Sequence, residues 1–108
     1  MYEYNATPVR VIDGDTVVMN IDLGFNIHHI SPCRLYGINA YELKDKDPEK
    51  RELAKKGKAE LENLLDIANP KPMHIASMGL DKYGRPLVII GDINDQMRHA
   101  GLAVTYLV

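Results

Sequence analysis

At 108 residues with 45% apolar side chains, the chain has the length and composition of one globular domain around one core, and it is too short for two. Its net charge of −2 excludes a uniformly basic surface, so any attraction for a polyanion has to be local, and the lone Cys33 excludes an internal disulfide. No apolar run approaches the roughly 20 residues that span a bilayer, and the opening MYEYNATPVR lacks the apolar stretch of a signal peptide, which sets the expectation of a cytoplasmic protein without membrane attachment.

The first predicted elements form a hairpin. In PVRVIDGDTVVMNID (8–22), Val9 and Val11 alternate with polar residues, Val17, Met19 and Ile21 alternate again, and Asp13-Gly14 between them is a turn dipeptide. A third strand is predicted over 30–38 (ISPCRLYGI), with Pro32 marking an edge or irregularity near its start. Residues 43–47 read as loop. Pro48, capped by Asp47, then opens an amphipathic helix over 48–68, in which Leu53, Gly57, Leu61, Leu64, Leu65 and Ala68 recur at three- and four-residue spacing. Asn69-Pro70 ends it. Met73, Ile75 and Ser77 alternate as a fourth strand, Asp81-Lys82-Tyr83-Gly84 is a turn, and Arg85–Ile90 is a fifth strand. Asp92 is read as the cap of a short helix over 93–100 that Gly101 stops. The order β-β-β-α-β-β-α, mainly β with helices, predicts a single five-stranded, partly open OB-fold barrel over residues 1–108.

Four polar residues fall at strand ends and turns rather than on the helix: Asp15, Arg34, Glu42 and Arg85. Two carboxylates and two guanidiniums suit phosphoryl chemistry. A hard divalent cation takes oxygen ligands, a carboxylate orients and deprotonates an attacking water, and guanidiniums fork onto phosphate oxygens as charge builds in the transition state. Taken singly, each has an ordinary explanation. Asp13 and Asp15 flank a glycine turn whose backbone they satisfy, Arg34 fits a strand ion pair, Glu42 a loop carboxylate, and Arg85 an exposed residue beside a turn. Only their joint arrangement, compared with a known family, favours chemistry.

That arrangement resembles a known family. VIDGDTV (11–17), RLYGINAYE (34–42), DKYGRPL (81–87) and GLAVTY (101–106) resemble, in order, the motifs of staphylococcal nuclease-like (thermonuclease-type) domains, with the helix between the second and third. RLYGINA and the DLGF stretch Asp22–Phe25 are similar to phage and bacterial versions. DGDT alone is a weak signal; the ordered set covers nearly the whole chain. The resemblance implies a Ca²⁺-dependent phosphodiesterase that hydrolyses DNA or RNA with little sequence preference. It places Asp15 and Asn39 as Ca²⁺ ligands, with the Ala40 carbonyl completing the protein's share. It places Glu42 as general base, Arg34 and Arg85 as phosphate-binding arginines, and Tyr83 and Tyr106 near a nucleotide pocket. Barrel-rim packing explains the two tyrosines equally well. The family's further C-terminal helix is expected to be absent.

Two positions depart from the family pattern. Asn39 stands where aspartate is usual, which weakens the Coulombic hold on a cation. Tyr41 stands where proline is usual, which loosens the loop that aims Glu42. Both keep open a second reading, a catalytically weak or inactive OB module binding nucleic acid or a protein partner; a purely structural role is a third. Seven of the thirteen basic residues lie within 44–58, interleaved with acids, and read as a solvated helix face with i,i+4 pairs before a polyanion contact. His28 and His29, adjacent on an extended segment, point apart and make a poor chelate. Cys33, next to Arg34, is expected to face the core.

Overall fold

The computed structural model describes residues 2–106. Seven strands and two helices follow in the order β1 (Tyr2–Asp13), β2 (Thr16–Asp22), β3 (His28–Leu35), β4 (Ile38–Ala40), α1 (Pro48–Leu64), β5 (Met73–Leu80), β6 (Pro86–Ile89), α2 (Ile93–His99) and β7 (Ala103–Thr105). Five strands close a barrel in the order β1-β2-β3-β6-β5, and β4 and β7 form a separate two-stranded sheet. The chain is therefore mainly β with helices, an OB-like barrel as the element pattern predicts. All barrel pairs are antiparallel except β3 with β6, which meet in parallel over Arg34–Leu35 and Leu87–Val88. Among the described residues no helix is long and apolar enough to cross a membrane.

Alternation builds the core. Val17, Met19 and Ile21 of β2, Cys33 and Leu35 of β3, Ile75 of β5 and Val88 of β6 point inward, and Leu61 and Leu65 of the α1 end close over them. Cys33 is fully buried as expected, and that burial pushes its thiol up to about 11, which keeps it protonated. His28 bonds Asn20 through Nδ1 at 2.9 Å and is exposed, as is His29.

Several predicted boundaries move. The first strand starts at Tyr2, not 8, because Tyr2–Ala6 pair with β5 while Asn5–Asp13 pair with β2. The two loop residues of the first hairpin are Gly14 and Asp15, so Asp15 belongs to the turn itself. The strand predicted over 30–38 is broken: Gly37 takes φ +83°, Tyr36 donates to the Val88 carbonyl, and the chain turns away into β4. The helix predicted to 68 ends at Leu64, because Asp66 takes φ +52° and the amides that follow leave the i→i−4 pattern, Asp66 donating to the Asn63 carbonyl and Ile67 to the Glu62 carbonyl. Asp47 caps it by accepting from the Glu49 amide at 2.9 Å, as predicted. Asp92 stands at the N-cap of α2 as predicted, but its side chain makes no cap bond; among the described residues its carboxylate accepts from the Gln96 side chain alone, at 3.3 Å. The β4–β7 sheet has no counterpart in the predicted order, since strands of three residues carry too short an alternation to be read.

The DGD turn packs directly on α1. A Cβ built on Gly14 would lie 2.9 Å from Ala40 Cβ and 3.4 Å from the Gly57 carbonyl carbon. Gly57 in the helix interior sacrifices about 0.5–1 kcal/mol of helix propensity and allows this approach. Gly14→Ala is expected to destabilise the fold by about 1–3 kcal/mol through overpacking and to displace the Ala40 segment. Urea unfolding of that variant measures the first effect, and the backbone shifts of residues 39–42 the second.

Candidate active site

The DGD turn places Asp15 beneath the mouth of the barrel, where it is 4% exposed. Both its oxygens are engaged. Oδ1 accepts from Thr16 Oγ1 at 3.0 Å; Oδ2 accepts from Arg34 NH1 at 3.1 Å and from the Ala40 amide at 2.8 Å. Arg34 comes from the end of β3, where the Leu35 amide donates to the Asp15 carbonyl and fixes strand against turn. Its NH2 donates to the Ile38 carbonyl at 3.2 Å and to Asn39 Oδ1 at 3.0 Å. Three of its five N–H donors are thus spent inside the protein.

Above this layer lies a cleft of about 370 Å³ whose walls include Arg34, Asn39, Glu42, Tyr83, Arg85 and Tyr106. Six of the eight predicted site residues therefore meet at one place. Asp15 and Ala40 are not on the cleft wall: the buried Asp15 is joined to it through Arg34, and Ala40, whose amide bonds Asp15, lines an adjacent depression with Asn39 and Glu42. Glu42 is exposed in the loop after β4, and among the described residues no ion pair holds it. Each arginine lies against a tyrosine: the Arg34 guanidinium carbon is 5.5 Å from the Tyr106 ring centroid, and that of Arg85 is 5.5 Å from Tyr83. Tyr83 is 72% exposed.

Sequence reasoning did not single out Lys82 and Asp81, which also line the cleft. Lys82 Nζ lies 5.2 Å from the Tyr83 centroid. Three cations against two carboxylates, Glu42 and Asp81, give the walls a positive balance although the whole chain is negative. Asp81 accepts from the Tyr83 amide at 2.9 Å and the Arg85 amide at 2.8 Å through Oδ1, and from Arg85 Nε at 2.7 Å through Oδ2. Desolvation raises its carboxyl, but these bonds and the Arg85 charge outweigh it and hold the group below the usual carboxylate range. The i,i+4 spacing from Asp81 to Arg85 was the available signal.

Asp13 departs in the opposite direction. Burial, then the hydrogen-bonding and charge of neighbouring Asp15, push its carboxyl up to about 6. The folded protein therefore holds a proton there that the unfolded chain releases between about pH 4 and 6, so this group lowers stability as pH rises through that window. Asp13→Asn keeps an acceptor for the Asp15 amide, 3.1 Å away, and removes the like charge. It is expected to gain about 1 kcal/mol at pH 7, with the gain vanishing below pH 4. Thermal unfolding of both proteins from pH 3.5 to 7.5 checks the sign.

The oxygens expected to hold a cation fit one in chemistry. They are the hard oxygen donors such an ion takes, and in this structure Asp15 Oδ2 and Asn39 Oδ1 both accept from the Arg34 guanidinium. The set contains a single carboxylate, and among the described residues no group of three His, Cys, Asp or Glu is gathered for a metal. By the standard of calcium-binding loops this donor set carries little charge.

Fold and cleft together define an OB-like barrel with a cationic, tyrosine-flanked cleft at its mouth. No protein-family model matches the chain, and no curated protein matches it.

Proposed function

We propose that the chain is a nuclease, hydrolysing phosphodiesters of DNA or RNA with little sequence preference, in the manner of the staphylococcal nuclease-like domains that its motifs resemble. The observation that carries this reading is the meeting of Arg34, Glu42 and Arg85 in one cleft between Tyr83 and Tyr106. Arg85 donates to the non-bridging oxygens of the phosphate, and the remaining Arg34 donors add positive charge from the floor. Glu42, exposed and without an ion-pair partner among the described residues, orients a water and takes its proton as the water oxygen attacks phosphorus in line with the leaving oxygen. The tyrosine rings stack on bases flanking the scissile bond, a contact indifferent to base identity. Asp15, Asn39 and the Ala40 carbonyl would hold Ca²⁺, which supplies Lewis-acid polarisation of the phosphate when bound.

Incubation of plasmid and single-stranded oligonucleotide with the protein in Ca²⁺ or in EDTA tests this. Degradation in Ca²⁺ alone is expected; no degradation in either rejects the enzyme. Gel retardation without cleavage would instead establish the second reading, a binding module. One observation favours that alternative: the terminal nitrogens of Arg34 are already bonded to Asp15, Ile38 and Asn39.

A further inference from the structure

We infer that Asp81 is a positioning residue for Arg85: it grips the guanidinium by Nε alone, so that both terminal nitrogens are presented as a fork to a phosphodiester in the cleft. This rests on the nucleic-acid reading above and names a residue that reading does not use.

The two cleft arginines are held in opposite ways. Arg34 is bound by its terminal nitrogens. Arg85 is bound at Nε, 2.7 Å from Asp81 Oδ2, while the ring of Tyr83 lies 5.5 Å from its guanidinium carbon. A bidentate carboxylate pair would consume the fork that matches phosphate. Asp81 cannot form one, because Oδ1 is committed to the Tyr83 and Arg85 amides. One oxygen thus shapes the turn and the other aims the side chain. The Asp81 side chain is only 9% exposed and that of Arg85 31%, so water competes weakly at the carboxylate while the guanidinium still reaches the cleft. The other short-range Arg–Asp pair among the described residues, Arg98 with Asp95, lies on α2 and joins a terminal nitrogen to a carboxylate that is 60% exposed. It has no comparable geometry.

Asp81→Asn separates the two duties. Its amide oxygen still accepts from the Tyr83 and Arg85 backbone, whereas its NH₂ has nothing to offer Arg85 Nε. The experiment is a double-mutant cycle of wild type, D81N, R85A and D81N/R85A on a fluorescent single-stranded oligonucleotide in Ca²⁺. D81N is expected to lower kcat/KM by about 10–100-fold, the loss expected when a reacting group is misplaced by an ångström or less. The larger share should fall on kcat, and D81N should cost nothing further once Arg85 is alanine. Unchanged turnover in D81N, or an equal loss with and without Arg85, overturns the proposal. If the wild type does not cleave, the nuclease reading fails separately. Asp81 is then judged on affinity for a labelled thymidine decamer in EDTA, which D81N should weaken only while Arg85 is present; unchanged affinity overturns it. A wild type that neither cleaves nor binds overturns both.

Discussion

Glu42→Gln is expected to leave the barrel intact and to lower Ca²⁺-dependent turnover by about 10²–10⁴-fold, the usual contribution of a general base. The amide keeps the size of the carboxylate and can still orient a water, but it cannot take the proton. Glu42 is exposed and among the described residues no ion pair holds it, so nothing in the fold depends on its charge. Stability should therefore stay within about 0.5 kcal/mol of wild type. Affinity for single-stranded DNA in EDTA should hold or rise, because one negative charge leaves a cleft that receives phosphate. Turnover, anisotropy and thermal unfolding on the same preparation separate these effects. Turnover within a few-fold of wild type would remove Glu42 from the role of base.

The largest effect on stability is expected at a residue with no place in the chemistry. Asn94, on α2, is 6% exposed and joins three segments. Its Oδ1 accepts from the Ile90 amide at 3.1 Å, and its Nδ2 donates to the Tyr36 carbonyl at 2.9 Å and the Val88 carbonyl at 3.0 Å. The Val88 carbonyl keeps the Tyr36 amide as a partner when the side chain is removed, so the main losses fall on Ile90 and Tyr36. With a cost of about 1–3 kcal/mol for the buried Ile90 amide left unpaired, and less for the part-buried Tyr36 carbonyl, Asn94→Ala should lose about 2–3 kcal/mol. For a domain of this size that is a fall in Tm on the order of 10–20 °C. Asn69→Ala, at an exposed position after α1, is the control and should change stability by no more than about 0.5 kcal/mol. Because the Tyr36–Gly37 bend leads into β4, the Asn94 variant should also broaden the backbone signals of residues 38–42. Equal unfolding midpoints for the two alanine variants would refute this account.

Much of the architecture was legible because its signals are local. VIDGDTV carries a period of two on both sides of a turn dipeptide, and it folds as the β1–β2 hairpin. The spacing from Leu53 to Leu65 carries a period near 3.6, and α1 occupies most of that span. The run ISPCRLYGI reads as one strand because its alternation continues through Tyr36. The break comes from partners far along the chain: the Asp15 carbonyl for Leu35, and the Val88 carbonyl and Asn94 for Tyr36. Asp92 and Asn94 reverse the roles their positions suggest, since the carboxylate at the helix start bonds only the Gln96 side chain and the asparagine inside the helix holds the barrel.

For the site, residue types at turns and strand ends nominated Asp15, Arg34, Glu42 and Arg85, and only the resemblance of the ordered motifs to staphylococcal nuclease-like domains added Asn39, Ala40, Tyr83 and Tyr106. Turn chemistry, strand period and motif order are properties of neighbouring residues and need no folded chain to be read. What only the tertiary structure decided is which groups face one another. The Asp15–Arg34 pair spans 19 positions and the Asn94–Tyr36 bond 58. Both depend on strand register and on the parallel β3–β6 contact that closes the barrel. A one-residue slip in register would turn every such side chain to the opposite face. That Asp15 is buried against Arg34, and that among the described residues no partner takes the terminal nitrogens of Arg85, follows from that closure.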